Sequence, residues 1–405
     1  MLATLIVRIL GAAATFGMGV FLARVLGPDG YGSYVFIVSL SLFVATIGQA
    51  GSGMALVKLR LQKETLPPAE TRGLYAWHVL LSLGGACVLG ILAAQAPVRS
   101  HDFGMPEILL TVLAALAGLL VTNTYQSVKR STLAVLPTTL LVPCMIVLVT
   151  WMLALTTPGA VLAIYIAASI GFLAVFAVLF LGRLGNLPAG RDITIQWMGW
   201  SRFSIQFLIA QLGHALLFIL LPAAYGFMAD PADMGQFSVA YRLAATSLIL
   251  FNAISVYATP HFADGGLVQD ADRLRRLLIR VIGVSMLASL PIFIVLAGFP
   301  ETLTGLLYGA EYVQAAAILP IAALGICFHA TTGPLGNFLL MNGGSGFYNI
   351  ISIAAGVAGV GTLVLFSADA GPGFAAWVMA ITLIVWKSLI IGRALILYQS
   401  LIRTP

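Results

Sequence analysis

Apolar residues run through this chain in stretches of about twenty, cut by short clusters of glycine, proline and charge. At 1.5 Å per residue about twenty residues cross the ~30 Å hydrocarbon core of a bilayer, so each stretch predicts one spanning helix. The pattern gives about twelve: Leu2–Leu26, Tyr34–Val57, Leu74–Ala94, Ile108–Gln126, Leu133–Leu155, Ala160–Leu181, Phe203–Phe227, Phe237–Pro260, Leu277–Phe299, Val313–Leu335, Phe347–Phe366 and Phe374–Leu397. The predicted fold class is all-α, a polytopic membrane protein.

The two halves echo each other at an offset of 203 residues, 231 minus 28. Pro28-Asp29-Gly30-Tyr31-Gly32-Ser33-Tyr34 returns as Pro231-Ala232-Asp233-Met234-Gly235-Gln236-Phe237, and the same offset pairs Ser52 with Ser255, Arg72 with Arg275, Ser82 with Ser285 and Pro97 with Pro300. The proline, glycine and arginine matches fall at segment ends, where backbone geometry and charge matter. Two six-helix lobes follow, 1–190 and 191–405. Six is even, so the lobes share an orientation and relate by an axis along the membrane normal, the build of a secondary transporter.

Loop charge tests the count independently. The second loop holds Lys58, Arg60, Lys63 and Arg72, the fourth Lys129 and Arg130, the sixth Arg183 and Arg191, the eighth Arg273, Arg275 and Arg276. Among the odd loops only the third is basic, at Arg99, and acids gather at Asp29, Asp102, Asp230, Asp233, Glu301, Glu311 and Asp369. Lysine and arginine stay on the cytoplasmic side, which puts the even loops and both termini inside.

Charged residues make up 8% of the chain and apolar ones 60%, against about 25% charged in a soluble domain. The net charge of +6 comes from loops between spans, so it argues for membrane orientation and against a nucleic-acid partner. Cys87, Cys144 and Cys327 lie in apolar stretches without metal-ligand spacing and read as small core residues. The five histidines have no zinc spacing, no nucleophile elbow occurs, and Gly343-Gly344-Ser345-Gly346 lacks the lysine of a phosphate loop and reads as a turn. No cofactor or metal is expected.

Ala23-Arg24-Val25-Leu26-Gly27-Pro28-Asp29-Gly30-Tyr31-Gly32-Ser33-Tyr34, leading into Gly51-Ser52-Gly53-Met54-Ala55-Leu56-Val57-Lys58, resembles the polysaccharide-transporter family, bacterial flippases for lipid-linked oligosaccharides such as O-antigen units. That family belongs to the multidrug/oligosaccharidyl-lipid/polysaccharide exporter superfamily. Gly235-Gln236-Phe237-Ser238-Val239-Ala240-Tyr241-Arg242-Leu243 resembles its eighth-span start, and Leu307-Tyr308-Gly309-Ala310-Glu311-Tyr312 its loop before the tenth. The resemblance implies two lobes opening alternately around a central cavity lined by spans 1, 2, 7 and 8.

None of the fourteen acids falls mid-span, where a cation-coupled drug exporter would keep a carboxylate. Arg8, Arg24, Arg202, Arg242 and Lys387 are the charges near the membrane, a sign that suits a diphosphate. Thr4, Arg8, Gly11, Thr15 and Gly19 share one side of span 1; small residues there make room for substrate or let another helix approach, and Arg8 either binds or snorkels. In span 8, Ser238, Tyr241, Asn252, Ser255 and Thr259 fall within about 100° with Arg242 on the flank, suited to sugar contacts or to helix–helix hydrogen bonds. Gln211 and His214 share a face of span 7, and Gln49 lies in span 2. The substrate-binding candidates are therefore Arg8, Thr15, Gln49, Gln211, His214, Ser238, Tyr241, Arg242, Asn252 and Ser255.

The expected activity is non-enzymatic: translocation of a polyprenyl-diphosphate-linked oligosaccharide across the bacterial inner membrane. The expected partners are the lipid-linked glycan, membrane lipid, and glycan polymerase or ligase machinery. A cation-coupled drug antiporter on the same scaffold is the first alternative and a membrane component of glycan assembly the second. The short odd loops hold only His101-Asp102 as an acid–base pair.

Overall fold

The computed structural model describes residues 2–62, 67–95, 103–184, 196–262, 271–367 and 370–403. Lys63, Arg99, His101, Asp102, Arg191 and Asp369, used above for orientation or excluded chemistry, lie outside them, as does the side chain of Thr4. The described elements are helices: α1 Leu2–Gly48, α2 Ser52–Gln62, α3 Pro68–Ala94, α4 Met105–Ser127, α5 Ser131–Met152, α6 Pro158–Leu184, α7 Trp197–Phe227, α8 Pro231–Ala244, α9 Ser247–Phe262, α10 Ala271–Gly298, α11 Pro300–Leu307, α12 Val313–Met341, α13 Ser345–Phe366 and α14 Pro372–Arg403. The chain divides into two compact units, Met1–Ala215 and Leu216–Pro405, so α7 contributes to both.

Eleven described stretches are long and apolar enough to span a membrane, and the first is double length. At 1.5 Å per residue, the 47 residues of α1 measure about 70 Å, over twice a bilayer core. Gly27, at φ 67° and ψ 177°, breaks the helix, and Pro28 opens its second arm. Positive φ is cheap only for glycine, and proline has no N–H to lose at a helix start. Asp230 (φ −66°, ψ 148°) and Pro231 begin α8 in the same way, which explains why this dipeptide position is kept across the repeat. The twelve-span, all-helical expectation holds.

Two spans are broken inside. The second arm of α1 ends at Gly48, and Ala50 (φ 49°) and Gly51 (φ 76°) turn the chain before α2, so Tyr34–Val57 is one span made of two helices. A Cβ on Gly51 would meet the Ser204 carbonyl oxygen and lie 2.6 Å from Leu208 N, so α7 closes over the turn. In the second unit, Ala245–Thr246 separates α8 from α9. The two breaks are not repeat-equivalent, since 49–51 maps by the offset onto 252–254. Short π-helical turns at Pro137–Leu141 and Leu216–Leu220 further interrupt α5 and α7.

The first unit centres on Tyr75, Trp77, Tyr125, Phe176, Phe180 and Trp200, with edge-to-face pairs at 5.0 to 5.8 Å. Tyr125 donates to Phe176 O at 3.0 Å, and Trp77 Nε1 donates to Ser201 Oγ at 3.2 Å. In the second unit Phe262, Leu274, Val281, Phe338 and Ala394 form a cluster. Leu274 is fully buried there, in the first turn of the spanning helix α10. Val178, Leu287 and Leu365 are about 70% exposed, an outward apolar face that a bilayer covers. Cys87 and Cys144 share that exposed face and only Cys327 is buried, because an apolar stretch in a membrane marks lipid as readily as core.

The two second-half motifs meet in space. Gln236 Nε2 donates to Glu311 O at 2.7 Å, and Ala315 N donates to Gln236 Oε1 at 2.9 Å. One buried amide thus satisfies both the loop before α12 and the first turn of that helix, which are short of partners by geometry.

Candidate functional site

In the first unit, the small-residue face of span 1 is filled by protein. Thr15 Oγ1 donates to Thr139 O at 3.2 Å, and a Cβ on Gly11 would lie 2.6 Å from Thr139 Oγ1. This is the close helix approach that glycine permits in membranes, here between α1 and α5. Arg8 is exposed. Gln49, buried at the mid-span break, accepts from Asn123 Nδ2 at 2.8 Å, which anchors the break to α4. Gln211 is half-buried with its Oε1 lacking a hydrogen-bond partner among the described residues, and His214 is exposed one turn later, just before the π-helical turn of α7.

A second polar cluster flanks the same break. Ser52, first residue of α2, places Oγ 2.7 Å from His78 Nδ1 and 3.1 Å from Ser82 Oγ, with all three side chains fully buried. His78 Nε2 has no hydrogen-bond partner among the described residues. The repeat places Ser255, Val281 and Ser285 at the corresponding positions. With valine in place of histidine, the hydroxyls of Ser255 and Ser285 are buried without hydrogen-bond partners among the described residues. His78→Ala should therefore cost about 2–4 kcal/mol, combining a cavity with loss of the Ser52–His78 hydrogen bond, and leaves Ser52 and Ser82 only each other. A thermal melt of purified protein checks it, with Val79→Ala, outward-facing, as a near-neutral comparison.

In the second unit, the span 8 stripe is divided by the Ala245–Thr246 turn. Ser238 is buried on α8 without a hydrogen-bond partner among the described residues, Tyr241 donates to Phe218 O at 3.3 Å, and Arg242 beside it is half-buried. Across the turn, Asn252 is exposed on α9 and Ser255 half-buried. Ala245 keeps helical dihedrals (φ −65°, ψ −11°), and Leu248 N and Ile249 N bond three residues back to Ala245 O and Thr246 O, so the turn is a tightened helical one that shifts the phase of the stripe between α8 and α9.

Lys387, at the middle of α14, is the only charged side chain buried among the described residues, at 1% exposure. Its Nζ sits 4.2 Å from the Trp386 ring centroid, within cation–π range. Trp386 is itself fixed on three sides. It donates from Nε1 to Ser352 Oγ at 3.0 Å, stacks on His329 at 5.4 Å and 16°, and meets Tyr348 edge-on at 5.9 Å. Gly336 on α12 makes room for the Tyr348 ring, since a Cβ there would lie 3.0 Å from Tyr348 Cε2, and it borders Nζ at 3.5 Å. The lysine faces protein, as its depth in an apolar helix implies, and an aromatic ring takes the place of a carboxylate partner.

A family model described as "Polysaccharide biosynthesis protein" matches residues 21–317, nearly three-quarters of the sequence. The chain belongs to this polysaccharide biosynthesis family. Among solved structures it is similar to an inward-facing multidrug resistance MATE transporter of the MOP superfamily (TM-score 0.70, 12% identity, 100% of this chain and 99% of that one). It is similar also to the lipid II flippase MurJ in an inward closed conformation (TM-score 0.69, 12% identity, 99% and 90% covered). A third is a MOP transporter from Pyrococcus furiosus Vc1 described by the reverse polarity of its binding pocket (TM-score 0.58, 12% identity, 100% and 95% covered). At 12% identity these likenesses establish the twelve-helix fold alone. No curated protein matches the chain by sequence. Within the family's matched range lie the broken second span and its Gln49–Asn123 and Ser52–His78 contacts; Lys387 lies beyond it.

His78 was hidden as a lone polar residue in an apolar stretch, and Asn123 as one member of the polar run Thr122–Ser127 at the end of a span. The repeat held the available signal: Ser52 and Ser82 recur as Ser255 and Ser285, which marks a small-hydroxyl contact between neighbouring helices.

Proposed function

We propose that this member of the polysaccharide biosynthesis family is a non-enzymatic flippase. It carries a polyprenyl-diphosphate-linked oligosaccharide from the cytoplasmic to the outer leaflet of a bacterial inner membrane, with both termini cytoplasmic. The placement of charge carries the reading. Each described carboxylate sits at a helix start or junction: Asp29 at the α1 break, Glu70, Glu107, Asp233, Asp272 and Glu301 in first turns, and Asp230 and Glu311 just before helices. Past the first turns of the helices the buried or half-buried charges are cations, Lys387 and Arg242 among them, while the half-buried acids Glu70 and Asp233 lie within first turns. A cation-binding drug exporter needs the opposite sign, whereas guanidinium forks and ammonium groups suit a diphosphate. Gln211, Ser238, Tyr241, Asn252 and Ser255, with Arg8, Arg242 and His214, remain the candidate substrate contacts, while Thr15 and Gln49 are engaged with Thr139 and Asn123; polymerase or ligase machinery would take up the product.

Deletion of the gene should cause a lipid-linked glycan to accumulate on the cytoplasmic face, detected by extraction and by lectin or protease-protected labelling of inverted vesicles. Re-expression should clear it. Arg242→Ala should restore export about tenfold less well at near-normal protein abundance, with Arg242→Lys intermediate, because a lysine cannot make the bidentate contact. Normal export by both Arg8→Ala and Arg242→Ala would assign these arginines to anchoring.

A further inference from the structure

Helices α9 and α10 enclose a groove of about 390 Å³ in the second unit. Ala253, Ile254 and Tyr257 line it from α9, and Arg280, Val281 and Val284 from α10. Phe262, ending α9, and Leu274, near the start of α10, share one buried cluster, so the two helices are joined at that end. Tyr257 and Arg280 stand nearer the joined end, and Ala253 and Val284 farther from it. The groove thus has a polar mouth and an apolar body.

Arginine continues beyond the mouth. At 100° per residue Arg273, Arg276, Arg280 and Val284 fall within about 80° on α10, the face that lines the groove. Arg276 and Arg280 are exposed and have no ion-pair partner among the described residues. Asp272, the only described acid of either helix, falls outside that arc. On α9 the exposed His261 ring lies 4.7 Å from the Tyr257 ring and extends the polar mouth by one turn. Tyrosine and arginine at the end of an apolar channel are the arrangement that meets lipid headgroups, with the long guanidinium arms reaching phosphate.

The geometry points to an anionic phospholipid bound in this groove. One hydrocarbon chain lies along Ala253, Ile254, Val281 and Val284, and the phosphodiester is held by Arg280 and Arg276. Charge complementarity selects the headgroup: unpaired guanidiniums attract an anion and leave a zwitterionic head's positive end unmatched. The proposal needs only a membrane protein and is independent of which substrate is transported.

The test is native mass spectrometry of the purified full-length protein in neutral detergent, titrated with phosphatidylglycerol, phosphatidylcholine or geranylgeranyl diphosphate. Phosphatidylglycerol should give a saturable one-lipid adduct and phosphatidylcholine none. Each basic residue near a lipid anion contributes about fivefold, so Arg276→Ala with Arg280→Ala should weaken phosphatidylglycerol binding about thirty-fold. Arg275→Ala, off the face, should leave it unchanged. Ala253→Phe fills the body and keeps the arginines, so it should also abolish the adduct. Equal binding of the two phospholipids, or an unchanged adduct in the double variant, overturns the proposal. So does an unchanged adduct in Ala253→Phe, which would mean that arginines alone hold the head. Preferential binding of geranylgeranyl diphosphate, displacing phosphatidylglycerol at equal concentration, would reassign the groove to a prenyl lipid.

Discussion

Gly85→Val should leave almost no folded protein in the membrane, while Gly84→Val, one residue away, should leave its amount near normal. A Cβ at position 85 would meet the carbonyl oxygen of Gly48, with Gly48 C at 2.9 Å and Cα at 3.2 Å. Seen from the other helix, a Cβ on Gly48 would lie 2.6 Å from Ala86 N and 2.7 Å from Ala86 Cα. These are backbone atoms, so no side-chain rotation relieves the clash and α1 and α3 must separate. Separation would pull Gly48 away just before the Gln49 turn, and with it the Ser52–His78 and Gln49–Asn123 contacts. Overpacking costs typically 1–3 kcal/mol where side chains can adjust, and at a backbone contact about 3 kcal/mol or more. Gly84 has nothing within 4 Å of a built Cβ. Fluorescence-detected size exclusion of tagged variants gives the comparison directly; equal monodisperse peaks for both would mean the α1–α3 contact is looser than described.

Lys387→Met should raise the melting temperature of the purified protein while lowering export. A charge at the bilayer centre costs ~2.5–3.5 kcal/mol on insertion scales, and a desolvated cation–π contact returns about 2 kcal/mol. Methionine fills most of the lysine volume and needs no partner, so replacing the ion should stabilise by about 1 kcal/mol or more. Lys387→Glu inverts the sign against the negative face of the Trp386 ring and should destabilise strongly. A stabilised variant that exports less indicates a charge kept for function against stability. A Lys387→Met protein with unchanged export would make the lysine a packing residue only.

Periodicity and charge made the helical, membrane-spanning fold legible because both report one-dimensional physics. A span must be apolar for the thickness of a bilayer, and its loops must follow the positive-inside bias. The internal repeat was legible at Gly27-Pro28 and Asp230-Pro231 because starting a helix there imposes a backbone requirement that few residues meet. Site geometry was less so. The stripe from Ser238 to Ser255 assumed an unbroken helix, and nothing local at Ala245–Thr246 announces the turn between α8 and α9. The break at Ala50–Gly51 is likewise stabilised from outside, by α7 over Gly51 and by Asn123 on Gln49.

That the chain is a polytopic helical membrane protein with repeated halves, and that its acids avoid the middles of its spans, follows from the residues alone. Composition, span length and the positions of proline and glycine act within one segment at a time, so they can be read without a partner. Only the tertiary structure decided that the Gly11–Thr15 face is packed against α5, that Lys387 rests on an aromatic ring, and that Ser52 and Ser82 are joined through His78 while Ser255 and Ser285 are not. Such outcomes depend on which helix lies alongside. In lipid, a polar or small residue takes the same place in the hydropathy pattern whether it meets a neighbour or a cavity.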